Sequence, residues 1–468
     1  LIGGILGGLF GVFLGRLTTI MYVEYFTFPE LSSRIYPDVL SFGVFISVIF
    51  ALLGTIKGVL RIMRLDPSEA MREATPPVGG SIILEKMKWF WNRLDAQWHM
   101  ILRGLFRNKG RTAIAVFSAA LGSSIVVLAF GFVDSMDEMV RLQFDRVMRS
   151  DYHLTFNREL QVSAIDEIRR LDGVTHAEPV LNVAATFRVK NHSKRGAIVG
   201  VVNNGELTTP LNSDGQPVTI PSSGLLMTQR LMEQLEITAG DFVEVTPVKG
   251  ERSAKFLPVV EGIESMLGLA VYADFNWLNN VLGQEKIINE VRLTTTRSRE
   301  LEKEYFDKLK AMPNLETITD LREQKDALNK QLNGAMRASA VVMIVFAAVI
   351  FFGTILNGTL IAISERRRET ATFRTMGYFE NEVARLFLRE NLLNNMIGAI
   401  IGLPLGYWML IASMEGFVSD AYSFPSVLSP ASYIYTLALA GLFVLISQIF
   451  VVRKLNKQNW VEALSLKE

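Results

Sequence analysis

The chain has 468 residues, 49% hydrophobic and 20% charged, with a formal net charge of +1. Such a balance makes no electrostatic case for a nucleic-acid partner. The absence of cysteine excludes disulfides, thiolate metal sites and a cysteine nucleophile. The apolar residues are gathered into long uncharged runs, which predicts a membrane protein.

Taken in order, six runs approach the ~20 apolar residues that a bilayer requires: Leu1–Met21, Leu40–Leu60, Thr112–Val133, Ala338–Ile363, Asn391–Ala412 and Ser432–Val452. Leu1 already lies inside an apolar run, without an initiator Met, a basic n-region or a small-residue cleavage site. The run is therefore not read as a signal peptide, and the chain is expected to be the C-terminal piece of a longer one. Lys and Arg cluster after the second span (Lys57, Arg61, Arg64, Arg72), before the third (Arg103, Arg107, Lys109, Arg111), after the fourth (Arg366–Arg368) and after the sixth (Arg453, Lys454, Lys457). The other loops are nearly free of them, so the Arg-rich loops are placed in the cytosol.

Glu73–Ser81 (EATPPVGGS) reads as a linker, since its prolines and glycines stop a helix. Lys86–Phe106 interleaves Trp89, Trp91 and Trp98 with basic residues, as a helix lying in the cytoplasmic interface would. Beyond the third span, Phe132, Met136, Met139, Val140, Phe144 and Val147 keep helical spacing. Leu321, Leu328, Leu332 and Met336 do the same before the fourth. These amphipathic extensions predict a paired stalk. The stalk would carry a domain over 150–319, with strands at Asp151–Phe156, Ala184–Val189, Gly196–Val202, Asp241–Val248, Phe256–Ile263, Asn289–Thr294 and Glu316–Ile318. Helices are expected at Ala164–Leu171, Gly224–Leu235 and Arg299–Met312.

After the fourth span comes a dense charge cluster, Glu365, Arg366, Arg367, Arg368, Glu369 and Arg374, followed by Phe379, Val383, Leu386 and Phe387 at helical spacing. A basic segment pinned between two spans lies along one membrane face, where it suits a soluble partner; a positive-inside anchor would carry the same charges. Gly3, Gly7 and Gly11 in the first span and Gly398, Gly402 and Gly406 in the fifth recur every fourth residue, a spacing that lets another helix approach closely. Ile2–Gly11 (IGGILGGLFG) also repeats Ile397–Gly406 (IGAIIGLPLG), and Glu69-Ala70-Met71 repeats Glu462-Ala463-Leu464 at nearly the same distance. The first two spans are thus expected to close an earlier copy of the unit seen whole from Thr112 onward.

Phosphate-cradling, nucleophile-elbow and zinc-helix motifs are all missing from the sequence, and the spans hold almost no ionisable residue. A proton- or ion-coupled carrier would need such residues. The four histidines are scattered and suggest no metal site.

The order Glu365, Arg366, Arg367, Glu369, then Phe373, Arg374, Met376, Gly377, then Glu390 and the glycines Gly398, Gly402 and Gly406 resembles the FtsX-like permease family, the MacB-type membrane subunits of ABC transporters. Thr370-Ala371 stands where that family usually has Ile-Gly. The basic elbow Arg103–Arg111, the Gly173–Val180 step, the run Gly224–Val245 and the tail Leu65–Arg72 extend the resemblance over nearly the whole chain.

The resemblance implies an α-helical transmembrane bundle with a mixed α/β extracytoplasmic domain on a helical stalk. The expected parts are 1–72, the end of a first repeat; 73–111, linker and interfacial helix; 112–149, span and stalk; 150–319, the extracytoplasmic domain. They continue with 320–363, stalk and span; 364–390, coupling segment; and 391–468, the last spans and tail. It further implies no catalytic residues and no cofactor. ATP would be bound by a separate cytosolic ATPase docked on Glu365, Arg366, Arg367, Arg368, Glu369, Phe373, Arg374 and Gly377. The setting would be the bacterial inner membrane. The cargo would be lipophilic, a lipoprotein or a peptide, unless the domain instead senses a ligand or controls a cell-wall hydrolase.

Overall fold

The computed structural model describes residues 2–25, 36–63, 83–296, 309–310, 314–365, 377, 379–417, 419–420 and 422–455. They form two compact units. One holds Leu1–Phe132, Gly334–Leu410 and Leu428–Glu468; the other holds Val133–Asn333 together with Ile411–Val427.

The described helices are α1 (Ile2–Tyr25), α2 (Pro37–Met63), α3 (Lys88–Trp91), α4 (Ala96–Arg107), α5 (Lys109–Arg141), α6 (Ala164–Arg169), α7 (Gln229–Leu235), α8 (Phe275–Val281), α9 (Leu321–Leu328), α10 (Gly334–Glu365), α11 (Glu380–Phe417) and α12 (Pro430–Leu455). Six of the helical stretches are long and apolar enough to cross a membrane. In the first unit α1 packs on α2 and α10, and α10 runs along α12. Phe351 and Ile355 of α10, Ala119 of α5, Ala399 of α11 and Val444 of α12 share one buried cluster.

Two expected boundaries move. The amphipathic stretch after the charge cluster and the span beginning near Asn391 are one helix, α11, because nothing between them breaks the backbone ladder. Pro404 sits inside this helix, as membrane helices tolerate where neighbouring helices satisfy the freed backbone groups. Conversely, Lys86–Phe106 is not one helix. The chain folds back between α3 and α4, where the His99 ring lies 4.2 Å from that of Trp91 and its Nε2 sits 2.9 Å from the Trp91 carbonyl oxygen.

The second unit is built on a nine-stranded sheet in the order β3-β7-β4-β6-β5-β2-β8-β1-β9. Its strands are β1 (Tyr152–Gln161), β2 (Val174–Val189), β3 (His192–Val201), β4 (Leu225–Thr228), β5 (Phe242–Pro247), β6 (Lys255–Ile263), β7 (Ala270–Asp274), β8 (Ile287–Thr295) and β9 (Leu315–Asp320). The long β2 holds it together: Val174–Val180 pair with β8, and Ala185–Arg188 with β5. Helices α6, α7 and α8 cover one main core. Val218 and Ile220 cover a smaller one with Val180, Leu226 and Tyr272.

The expected helix Gly224–Leu235 divides into β4 and α7. Leu225, Leu226, Met227 and Thr228 are all buried, which marks an interior strand rather than a half-exposed helix. Gly224 has a φ of +92°, and a Cβ there would meet Val260 at 2.5 Å and the Pro258 carbonyl oxygen at 3.1 Å. Strand β7 and helix α8 carried too short a pattern to be seen in advance; the Asp274 carboxylate caps α8 by accepting from Trp277 N–H at 2.8 Å. Apart from residues 309–310, the helix expected at Arg299–Met312 lies outside the described residues.

The stalk helices pair within this unit. Val140 and Phe144 pack with Leu321, and Leu267 and Leu328 flank them. Lys325 pairs with Asp145. Asn333 Nδ2 donates to Asp137 at 2.6 Å, and Arg322 meets Asp151 at 2.6 Å. Each strand of the stalk contains a π-helical turn, Leu142–Val147 on the way out and Asn329–Asn333 on the way back. Such turns recur at functional positions.

Candidate docking face and its supporting helices

Glu365 ends α10. Arg366, Arg367, Arg368, Glu369, Phe373 and Arg374 lie outside the described residues. Gly377, at the far end of the segment, is exposed with a φ of +96°, a backbone conformation that favours glycine. Phe379 then stands just before α11, and its N–H donates to Glu382 Oε2 at 2.8 Å. This is half of a capping box, which fixes where the segment ends and the helix starts.

The first turns of α11 are firmly seated. Val383, Ala384 and Phe387 are buried with Val451 of α12 and Leu356 of α10. Gln448 Nε2 donates to the Ala384 carbonyl oxygen at 3.2 Å. One turn further, Arg389 Nη1 donates to Gln97 Oε1 of α4 at 2.6 Å, and its guanidinium lies 5.8 Å from the centre of the Trp98 ring. Next to it, Glu390 is buried and accepts from Arg111 Nη2 at 2.8 Å. The segment after the charge cluster is therefore clamped to α4, α5, α10 and α12 together. Asn391 Nδ2 donates to Thr359 Oγ1 of α10 at 2.8 Å, a polar contact between spans.

Below that clamp, Gly398, Gly402 and Gly406 face α5. A Cβ at Gly398 would lie 2.5 Å from Ala119 Cβ, one at Gly402 1.8 Å from Ser123 Oγ, and one at Gly406 2.6 Å from Val127 Cβ. Ser123 Oγ also lies 3.3 Å from the Ala399 carbonyl oxygen, to which it donates across the helix pair. In α1 the packed positions are Gly4, against Ser47, and Gly8, against Leu40. A Cβ at Gly3, Gly7 or Gly11 would meet nothing within 4 Å among the described residues.

A second polar cluster lies at the root of the α/β domain. His153 Nε2 is 2.8 Å from Ser150 Oγ, and its Nδ1 is 3.4 Å from Glu290 Oε1, which Arg292 holds at 2.8 Å. Arg292 also donates to Thr208 Oγ1. The Ser–His–Glu order is that of a nucleophile with its base and orienting acid. Burial and the nearby Arg292 charge nevertheless lower the His153 pKa to about 4, too weak for a base at neutral pH. All three side chains are buried. The cluster anchors the stalk root to the sheet: Arg149 N–H reaches the Leu207 carbonyl oxygen at 3.1 Å, and Thr209 N–H reaches that of Val147 at 3.0 Å. Nothing in the sequence singled it out.

Residues 341–460 match the FtsX-like permease C-terminal family. The chain is 20% identical over 407 residues to the macrolide export ATP-binding/permease protein MacB of Shewanella sp. (strain W3-18-1), covering 80% of this chain and 61% of that protein. Among solved structures, it is similar to the extracellular domain of the noncanonic ABC-type transporter YknZ from Gram-positive bacteria, with 13% identity, a TM-score of 0.27, and 36% of this chain and 100% of that one covered. It is also similar to the periplasmic region of MacB from Actinobacillus actinomycetemcomitans, with 11% identity, a TM-score of 0.28, and 39% and 94% covered. The resemblance to FtsX-like, MacB-type permeases read from the sequence thus recurs in the matched family and in the curated relative.

Proposed function

We propose that this chain is the membrane part of an ABC transporter of the MacB/FtsX type, working with a separate cytosolic ATPase docked on residues 365–377. The observation that carries this reading is the mounting of that segment. Its downstream end is capped at Phe379 and clamped through Arg389 and Glu390 to α4 and α5. A push on the segment is then shared by several spans instead of being lost in a loose loop. Nucleotide-driven closure of the ATPase moves α5, α10 and α11, and the paired stalk passes the motion to the α/β domain outside the inner membrane. The work is done there on a lipophilic, lipoprotein or peptide cargo. Ligand-free chemistry by this chain is not needed, since ATP is spent by the partner.

The test is reconstitution in lipid nanodiscs with the cognate ATPase. ATP turnover should rise when the chain is present, and distances between spin labels on the α/β domain should change between the nucleotide-free and ATP-trapped states. A turnover indifferent to the chain would count against the proposal.

A further inference from the structure

The loop joining α11 to α12 is gripped by the α/β domain. The Asp420 carboxylate accepts from Gln234 Nε2 at 2.5 Å and from Lys194 Nζ at 3.2 Å, with Arg230 Nε 3.9 Å away. Gln234 and Arg230 stand one turn apart on α7, and Lys194 is on β3. One carboxylate thus draws together donors from two elements, and these contacts hold its pKa below the usual aspartate value. The seam continues along the chain. Tyr422 forms an antiparallel bridge with Leu267, and Ser423 N–H donates to the Met266 carbonyl oxygen at 3.1 Å. At the loop's end, Ser135 Oγ donates to the Val427 carbonyl oxygen at 3.2 Å, and Val427 N–H donates back at 3.3 Å.

The two ends of this seam differ in kind. Ser135 is fully buried, whereas Asp420 and its cationic partners are a third to a half exposed. Exposed ion pairs are weak singly and are screened by salt. Beneath the Asp420 end lies a small cleft lined by Thr228, Glu264, Ser265, Ser419, Tyr422 and Ser423. Its lining joins Thr228, Glu264, Ser265, Ser419 and Ser423 to Ile263 and Tyr422, so polar groups as well as apolar ones meet water when the loop lifts. The Val140, Phe144 and Leu321 contact of the stalk is wholly apolar by comparison.

The geometry points to a releasable clasp: residues 419–420 and 422–424 close on α7, β3 and the Met266–Leu267 loop, with Asp420 as the closing residue and Ser135–Val427 as the hinge end. The clasp ties the loop between α11 and α12 to the sheet and to α7 within the second unit. This deepens the permease reading and rests on it for what drives the opening; the clasp itself needs only this chain.

The experiment uses the full chain in nanodiscs and exploits its lack of cysteine. Directly opposed residues of an antiparallel bridge have a Cα spacing that suits a disulfide. Leu267→Cys with Tyr422→Cys should therefore cross-link readily under mild oxidation. Adding Asp420→Ala should slow that rate about fivefold, and raising salt to ~0.5 M should slow the parent similarly. Exchanging the charges, Lys194→Asp with Asp420→Lys, should recover most of the rate, which a general folding defect would not. An unchanged rate with Asp420→Ala, or no cross-link in the parent, would overturn the clasp. In the ATPase complex, oxidation should leave co-purification intact and lower ATP turnover at least about threefold relative to the reduced form. Equal turnover in the two forms would overturn its release during the cycle. Failure of the ATPase to bind would count against the docking reading and leave the chain-alone rates to decide the clasp.

Discussion

Arg111 and Glu390 meet at 2.8 Å, from α5 and α11, with the Glu390 side chain only 7% exposed. The pair joins the span that leads to the stalk to the helix that receives the charged segment. Breaking such a pair leaves a buried charge behind, whereas replacing both members with apolar residues removes that penalty.

Glu390→Ala should therefore destabilise the chain by about 3 kcal/mol, and Arg111→Met with Glu390→Met should recover much of the loss. Thermal unfolding in detergent measures both. A double variant no more stable than the single one would contradict the role assigned to the pair.

The glycines of α11 give a second prediction. At Gly402 a Cβ would lie 1.8 Å from Ser123 Oγ and 2.5 Å from the Ala120 carbonyl oxygen, and the backbone atom has nowhere to go. Gly402→Val should cost about 1–3 kcal/mol or more from overpacking. Gly7→Val, with nothing within 4 Å among the described residues, should change the melting temperature little. A Gly7→Val variant as damaged as Gly402→Val would mean that another helix packs on that face.

These cases show what the sequence could carry. The apolar runs disclosed the six long helices, because an uncharged stretch of that length has few other uses. The glycine spacing disclosed a packing face on α11. On α1 the run IGGILGGLFG holds two overlapping registers, Gly3/Gly7/Gly11 and Gly4/Gly8, and periodicity does not choose between them. The partner of Glu390 was out of reach, being 279 residues away. Asp420 likewise reads as a lone loop carboxylate until Gln234 and Lys194, 186 and 226 residues distant, are brought beside it. Strand β4 was misread since a run buried on both faces has no alternation to show.

The stalk gives a third prediction. Asp145→Cys with Lys325→Cys, and Val140→Cys with Leu328→Cys, should be bridged within minutes by a short bifunctional thiol reagent, since these residues share the stalk contact. The bridged chain should bind the ATPase but fail to pass motion to the α/β domain, read as spin-label distances that no longer change with nucleotide. Absence of bridging at every pair would contradict the packing.

The root cluster sets a pH dependence. His153 is held neutral by burial and by Arg292, with a pKa of about 4, while the unfolded chain takes up that proton near 6.5. Unfolding is therefore favoured progressively as pH falls from about 6.5 to 4, by about 3 kcal/mol in all, and levels off below. Burial works against ionisation of Glu290, but the Arg292 charge and its hydrogen bond outweigh it and hold the Glu290 pKa below the usual glutamate value. Its stabilisation is likewise lost as pH falls, so the two slopes add. His153→Gln should flatten the upper part of the profile in melts between pH 7 and 4; an unaltered profile would remove His153 as its source.

The central claim is that the charged segment after α10 is where an ATPase docks, and charge reversal tests it most directly. Arg367→Glu with Arg374→Glu should leave the amount of chain in the membrane unchanged and abolish co-purification of the cognate ATPase. Undiminished co-purification, with ATP turnover equal to that of the parent complex, would contradict the account.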